Sequence, residues 1–182
     1  MPLGKGWEEM AEKKTVVVRV KRQSGPKERP RWEEFELEWR PYMNVIICLR
    51  DIAERPITRD SKATTPVSYE VNCLEEVCGS CAMVINGKAR MACSALVDQL
   101  EQPIRLEPMA KFPVVRDLAV DRSVMFENLK RVKAWVPIDG TYALGEGPRM
   151  SQEKQSKAYP LSRCITCGAC LEVCPQVNEK NQ

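Results

Sequence analysis

The sequence contains no histidine. That absence excludes mixed cysteine–histidine zinc sites, Rieske clusters, histidine-ligated haem and any histidine base. Aromatic residues make up only 6% of the chain and the net charge is only +3. With no aromatics interleaved among basic residues, nothing here resembles a nucleic-acid surface. No apolar run approaches the roughly 18 residues that span a bilayer. The first stretch, "MPLGKGWEEMAEKK", has no apolar h-region and carries acids, so it reads as neither a signal nor a transit peptide. The expectation is a cytosolic protein that touches a membrane only through a partner. At 182 residues, 43% hydrophobic and 29% charged, the chain suits one domain with a good core or two small ones.

What the sequence does have is cysteine, nine times: Cys48, Cys73, Cys78, Cys81, Cys93, Cys164, Cys167, Cys170 and Cys174. In a reducing compartment these do not form disulfides. With histidine missing, thiolates must carry whatever chemistry there is. Eight of the nine fall into two tight groups.

The first group, "CLEEVCGSCAMVINGKARMAC", reads C-x4-C-x2-C-x11-C through Cys73, Cys78, Cys81 and Cys93. The x4-x2 spacing is that of plant-type 2Fe–2S sites. Two bridged irons need two thiolates each, held by a tight loop with the last supplied from elsewhere. Gly79 and Ser80 are small, so backbone N–H groups can be directed at the sulfurs. Asn86-Gly87 is the strongest short hairpin signal available, and it returns Cys93 to the loop. Unrelated buried cysteines would not reproduce three spacings and a hairpin return. A four-cysteine zinc site usually pairs two C-x2-C knuckles, and only one is present. Cys48, among Ile46, Ile47 and Leu49, reads as a small buried hydrophobe.

The second group, "CITCGACLEVCP", is the bacterial ferredoxin run, in which the fourth cysteine normally serves a different cluster from the first three. Cys164, Cys167 and Cys170 can wrap a 4Fe–4S cluster. Cys174 lies one helical turn past Cys170, and Pro175 then redirects the chain. Every other thiolate except Cys48 is committed to the first group, so the ligand count does not close. Either Cys174 bends back to complete one site, or the remaining ligands lie past residue 182.

Outside these groups, "TVVVRVKR" (15–22) and "EEFELEW" (33–39) read as a strand hairpin, with Phe35, Leu37 and Trp39 alternating with acids. The basic stretch 19–31 at its tip reads as solvated. Residues 44–55 read as a helix capped by Asn44, and 103–108 as one more strand. Residues 109–120 read as a linker. An amphipathic helix is expected over 121–135, with Asp121 at its start and Met125, Leu129 and Val132 on one stripe. Residues 136–151 read as irregular, and a further helix is expected over about 151–160. The predicted fold is α+β: a β-grasp 2Fe–2S ferredoxin domain over 1–110, then an incomplete α-helical bacterial-ferredoxin-like domain over 111–182.

Taken together, "NCLEEVCGSCAMVINGKARMACSAL", "PVVRDLAVDRS", "VKAWVPIDGTY" and "CITCGACLEVCPQVN" closely resemble the iron–sulfur subunit of succinate dehydrogenase and fumarate reductase. The likeness is strongest to the bacterial, menaquinone-type branch. The resemblance implies a subunit of an oxidoreductase in the tricarboxylic acid cycle that does no substrate chemistry itself. Single electrons would pass through 2Fe–2S, 4Fe–4S and 3Fe–4S clusters, from an FAD-carrying flavoprotein subunit to menaquinone at a cytochrome b membrane anchor. The protein would then sit on the cytoplasmic side of the membrane, held there by its partners. Carried over by residue, Cys73, Cys78, Cys81 and Cys93 match the 2Fe–2S ligands. Cys164, Cys167 and Cys170 match three 4Fe–4S ligands, Cys174 matches one 3Fe–4S ligand, and Pro175 matches a proline near the quinone. The tryptophan that ubiquinone-using members place after that proline is absent. The family continues for several tens of residues with three more cysteines, so the resemblance implies a truncated member in which the 4Fe–4S and 3Fe–4S sites lack ligands. Another flavin-linked reductase, such as a thiol-dependent fumarate reductase, is the alternative within redox proteins. A cysteine-rich zinc interaction module is the alternative outside them.

Overall fold

A computed structural model describes residues 14–133, 150–161 and 163–178. Strands β1 (Thr15–Arg22) and β2 (Arg31–Glu38) pair antiparallel along their full length. Val16, Val18 and Val20 alternate onto one face of β1 and are fully buried, as period-2 patterning requires. Helix α1 (Val45–Glu54) starts where expected: the Asn44 side chain accepts the Ile47 N–H at 3.0 Å. Its apolar stripe, Val45, Ile46, Cys48, Leu49 and Ile52, joins the β1 valines in one core. Burying each of the larger side chains contributes about 1.5–3 kcal/mol.

Strands β3 (Ala82–Ile85) and β4 (Lys88–Met91) meet at Asn86-Gly87, whose φ angles of 48° and 78° suit the mirror-image turn of a tight hairpin. Strand β5 (Ile104–Glu107) pairs antiparallel with β3 and parallel with β1. The sheet order is β2-β1-β5-β3-β4. The chain ends of the β3–β4 hairpin, residues 81 and 92–93, therefore emerge together at one edge, where Ala92 N–H donates to the Cys81 carbonyl at 3.1 Å.

Residues 109–120 are not a linker. They form a second, two-stranded ribbon, β6 (Val114–Arg116) and β7 (Ala119–Val120). Met109, Phe112, Leu118 and Val120 all enter the main core. Strands of three and two residues are too short to show periodicity, so only the packing reveals them.

The basic hairpin stretch is likewise only partly solvated. Arg22 is 1% exposed and forms an ion pair with Asp117 at 3.0 Å and with Glu33 at 2.7 Å. It also donates to the Thr65 and Pro66 carbonyls.

Helix α2 (Ser123–Arg131) begins two residues later than expected. Asp121 accepts the Ser123 N–H at 2.8 Å from outside the helix, and Arg122 occupies the N-cap. Met125 packs on the core, whereas Leu129 and Val132 stay exposed. The stripe is thus only partly used among the described residues, and 134–135 lie outside them. Helix α3 (Gln152–Leu161) agrees with the sequence reading. Most of the expected irregular stretch 136–151 lies outside the described residues. A short helix α4 (Ala169–Val173) follows Gly168, which is in the left-handed region. No helix among the described residues is long and apolar enough to cross a membrane.

Candidate metal centres

The loop 73–81 is shaped by backbone that few residues adopt. Leu74, Glu76 and Gly79 have φ of 62°, 59° and 74°, and such left-handed positions fold a short segment around a point and turn N–H groups inward. Glu75 N–H points at Cys73 Sγ (3.3 Å) and Ser80 N–H at Cys78 Sγ (3.5 Å), with the Ser80 hydroxyl 3.4 Å from the same sulfur. The Ser80 hydroxyl, with the backbone around Cys73 and Ser80, pulls the Cys78 thiol down to about 6.

Cys93 lies at the other limit. Burial and the neighbouring Cys81 side chain push its thiol up to about 11. These interactions link Cys78 to Cys73, and Cys93 to both Cys81 and Cys73. Asn44 fixes the last of the four: its amide donates to the Cys93 carbonyl at 2.9 Å while its oxygen caps α1. The sequence marked only the capping role.

The donor set fits an iron–sulfur cluster. It is all sulfur, it is presented by a loop with N–H groups aimed at the thiolates, and the fourth thiol comes from a hairpin return. Among the described residues, no group of three or more Cys, Asp or Glu forms a ready cage for one metal ion. Cys48 stands apart, fully buried in α1, its thiol pushed up to about 12 by burial. That suits an inert core residue.

The second group is presented differently. Thr166 (φ 54°) directs its N–H at Cys164 Sγ at 3.4 Å. Cys164 and Cys170 are exposed, Cys167 and Cys174 half-buried. Gly168 faces Phe112 and Met125: a Cβ there would lie 2.8 Å from Phe112 Cζ and 3.4 Å from Met125 Sδ. Cys174 follows α4 with extended backbone, and Lys111 holds this end of the chain. The Lys111 N–H donates to Glu172 at 2.9 Å and its ammonium to the Val177 carbonyl at 2.7 Å.

The two groups touch. A Cβ on Gly79 would lie 2.6 Å from the Ile165 carbonyl oxygen and 2.9 Å from Cys167 Cβ. Gly79 sits between two thiols of the first group, and Cys167 is the middle thiol of the second. Arg122 bridges the same junction, donating to the Gly79 carbonyl at 2.9 Å, the Ser80 carbonyl at 3.3 Å and the Cys167 carbonyl at 3.4 Å. Sequence reasoning missed Arg122. The signal was its place at a helix start, where a cation opposes the helix dipole.

A family model described as a 2Fe-2S iron-sulfur cluster binding domain matches residues 17–127. The chain is 58% identical to the succinate dehydrogenase iron-sulfur subunit of Bacillus subtilis over 173 residues, covering 95% of this chain and 68% of that one. The chain belongs to the iron–sulfur subunits of succinate dehydrogenase and fumarate reductase. Within this family it is 35% identical to the fumarate reductase iron-sulfur subunit of Haemophilus influenzae, over 63% of this chain and 49% of that one. For the Wolinella succinogenes fumarate reductase iron-sulfur subunit the identity is 31%, over 80% and 59%. The chain thus spans about half to two thirds of the length of these family members. A chain of the Mycobacterium smegmatis Sdh1 complex in the apo form superposes with a TM-score of 0.73 at 25% identity, covering 90% of this chain and 64% of that one. Members of this family are subunits of oxidoreductase complexes.

Proposed function

We propose that this chain holds a 2Fe–2S cluster on Cys73, Cys78, Cys81 and Cys93 within a β-grasp ferredoxin domain over 1–110. A helical ferredoxin-like domain over 111–182 supplies Cys164, Cys167 and Cys170 to a 4Fe–4S cluster and Cys174 to a 3Fe–4S cluster. Bound there, the clusters supply one-electron redox chemistry. The function is to relay single electrons from an FAD-carrying flavoprotein subunit towards menaquinone at a cytochrome b membrane anchor, with Pro175 beside the quinone. The chain is then peripheral, on the cytoplasmic side of the membrane. Succinate oxidation is favoured over fumarate reduction by the higher identity to the succinate dehydrogenase subunit, 58% against 35% and 31%.

The observation that carries the relay is the contact of Gly79 with Ile165 and Cys167. A single residue and one van der Waals contact separate Cys78 from Cys167, so the two sites belong to one path. The chain's own groups prepare that path. N–H groups at Glu75, Ser80 and Thr166 point at the sulfurs of Cys73, Cys78 and Cys164. Burial of Cys81 and Cys93 excludes water from the inner side of the first loop.

Protein purified without oxygen should be brown and contain iron with acid-labile sulfide. Cys78→Ser should abolish the 2Fe–2S signal, and Cys48→Ser should leave it unchanged. Colourless protein holding zinc and no sulfide would overturn the reading.

A further inference from the structure

Arg122 stands where a helix disfavours it. N-caps favour Ser, Thr, Asp or Asn, and the positive end of the helix dipole repels a cation. Arg122 makes no side-chain cap bond to α2. Its side chain turns instead into the junction of the two cysteine loops, where it is 13% exposed. There the guanidinium donates to three main-chain carbonyls, Gly79 and Ser80 from the first loop and Cys167 from the second. Glu70 forms an ion pair with it from the solvent side and is itself 49% exposed. A planar fork with five donors can grip several acceptors of fixed geometry at once, which a lysine cannot.

We propose that Arg122 is a positioning residue for electron transfer between the two clusters. It fixes the approach of the two cysteine loops and places a permanent positive charge beside both. The proposal rests on the cluster assignments above. The step it serves moves one electron: the first site is oxidised by one, the second is reduced by one, and no atom or proton is transferred. A fixed cation favours the more negative, reduced form of each site. Glu70 opposes this effect, but more weakly because water screens it. Removing the cation should therefore lower both potentials, and removing the carboxylate should raise them.

The test uses the assembled enzyme complex containing this chain, with iron and sulfide measured first and both potentials then followed by EPR-monitored titration. Arg122→Gln should weaken one-electron reduction of both clusters roughly tenfold, a downward shift of about 59 mV. Arg122→Lys should restore the potentials, because it keeps the charge. The fork is lost, so the magnetic interaction between the two clusters should stay weakened. Glu70→Gln, on an exposed side chain, should shift both potentials upward. Full iron and sulfide with unmoved potentials in Arg122→Gln would overturn the proposal while leaving the cluster assignment intact. If Arg122→Gln fails to assemble, a magnetic interaction between the clusters that stays at full strength in Arg122→Lys would overturn it equally. A wild-type complex in which this chain carries no iron or sulfide would instead overturn the cluster assignment, and this proposal with it.

Discussion

Gly79→Ala is expected to separate the two cysteine loops. The residue has φ of 74°, a conformation that costs a side chain about 1–2 kcal/mol. The new methyl would also meet the Ile165 carbonyl at 2.6 Å and Cys167 Cβ at 2.9 Å. These neighbours are backbone and a short, anchored side chain, so the contact is relieved only by moving one loop away from the other. Gly87→Ala is the matched control. Its φ is 78°, almost the same, yet nothing lies within 4 Å of a Cβ there. Both variants bear the conformational cost, and only Gly79→Ala bears the collision, so it should lose about 1–3 kcal/mol more in denaturant unfolding. The cysteines of the first group are untouched, so its 2Fe–2S signal should remain while occupancy of the second site falls. Equal losses for the two variants would show that the loops do not press on each other.

The second large effect is expected far from any cysteine. Arg22 and Asp117 have side chains 1% and 2% exposed and are 3.0 Å apart. Asp117 also accepts N–H groups from Gln23 and Ser68, each at 3.0 Å. This one carboxylate therefore ties β1, the segment before the first cysteine and the β6–β7 turn into a unit. Burial alone would raise the Asp117 carboxyl. Arg22 and the two backbone amides outweigh it and hold the carboxyl below its usual range. Arg22→Met would leave buried Asp117 with only Arg116 at 4.0 Å, while Glu33 keeps Arg31 at 3.0 Å, and removing one partner of a buried pair costs about 3–5 kcal/mol. That is a large share of a stability of about 5–15 kcal/mol.

Asp117→Asn isolates the charge, because asparagine tolerates the φ of 48° at this position. The sign with pH follows from the lowered carboxyl. Its stabilisation is complete above the unfolded value of about 3.9 and is lost as pH falls through the lower folded value. The gap between wild type and Asp117→Asn should be constant from pH 7 down to about 5 and close at more acid pH. A gap that widens in acid would contradict the ion pair.

How much of this was legible in the sequence depends on range. Local features were readable: the valine alternation of β1, the Asn44 cap, the Asn86-Gly87 turn and the cysteine spacings all act within a few residues. The features that join distant segments were not. Arg22 looked like one more base in a charged hairpin, because its partner lies 95 residues away. Residues 109–120 looked like a linker because the core they enter is built by the sheet and α1. Gly79 reads in the sequence as a small residue that lets backbone N–H groups face the sulfurs, and the structure also sets it against the second cysteine loop. Arg122 alone carried a local warning, a cation at a helix start, whose meaning required the loops on either side of it.

The central claim is that these two loops form one electron path. The most direct measurement is the EPR signal of the reduced 2Fe–2S cluster, recorded in the assembled complex before and after the 4Fe–4S cluster is reduced. With Gly79 packed on Cys167, the account predicts that the second reduction broadens the first signal and speeds its spin relaxation. A first signal unchanged in shape and relaxation, with both clusters present and reduced, would contradict it.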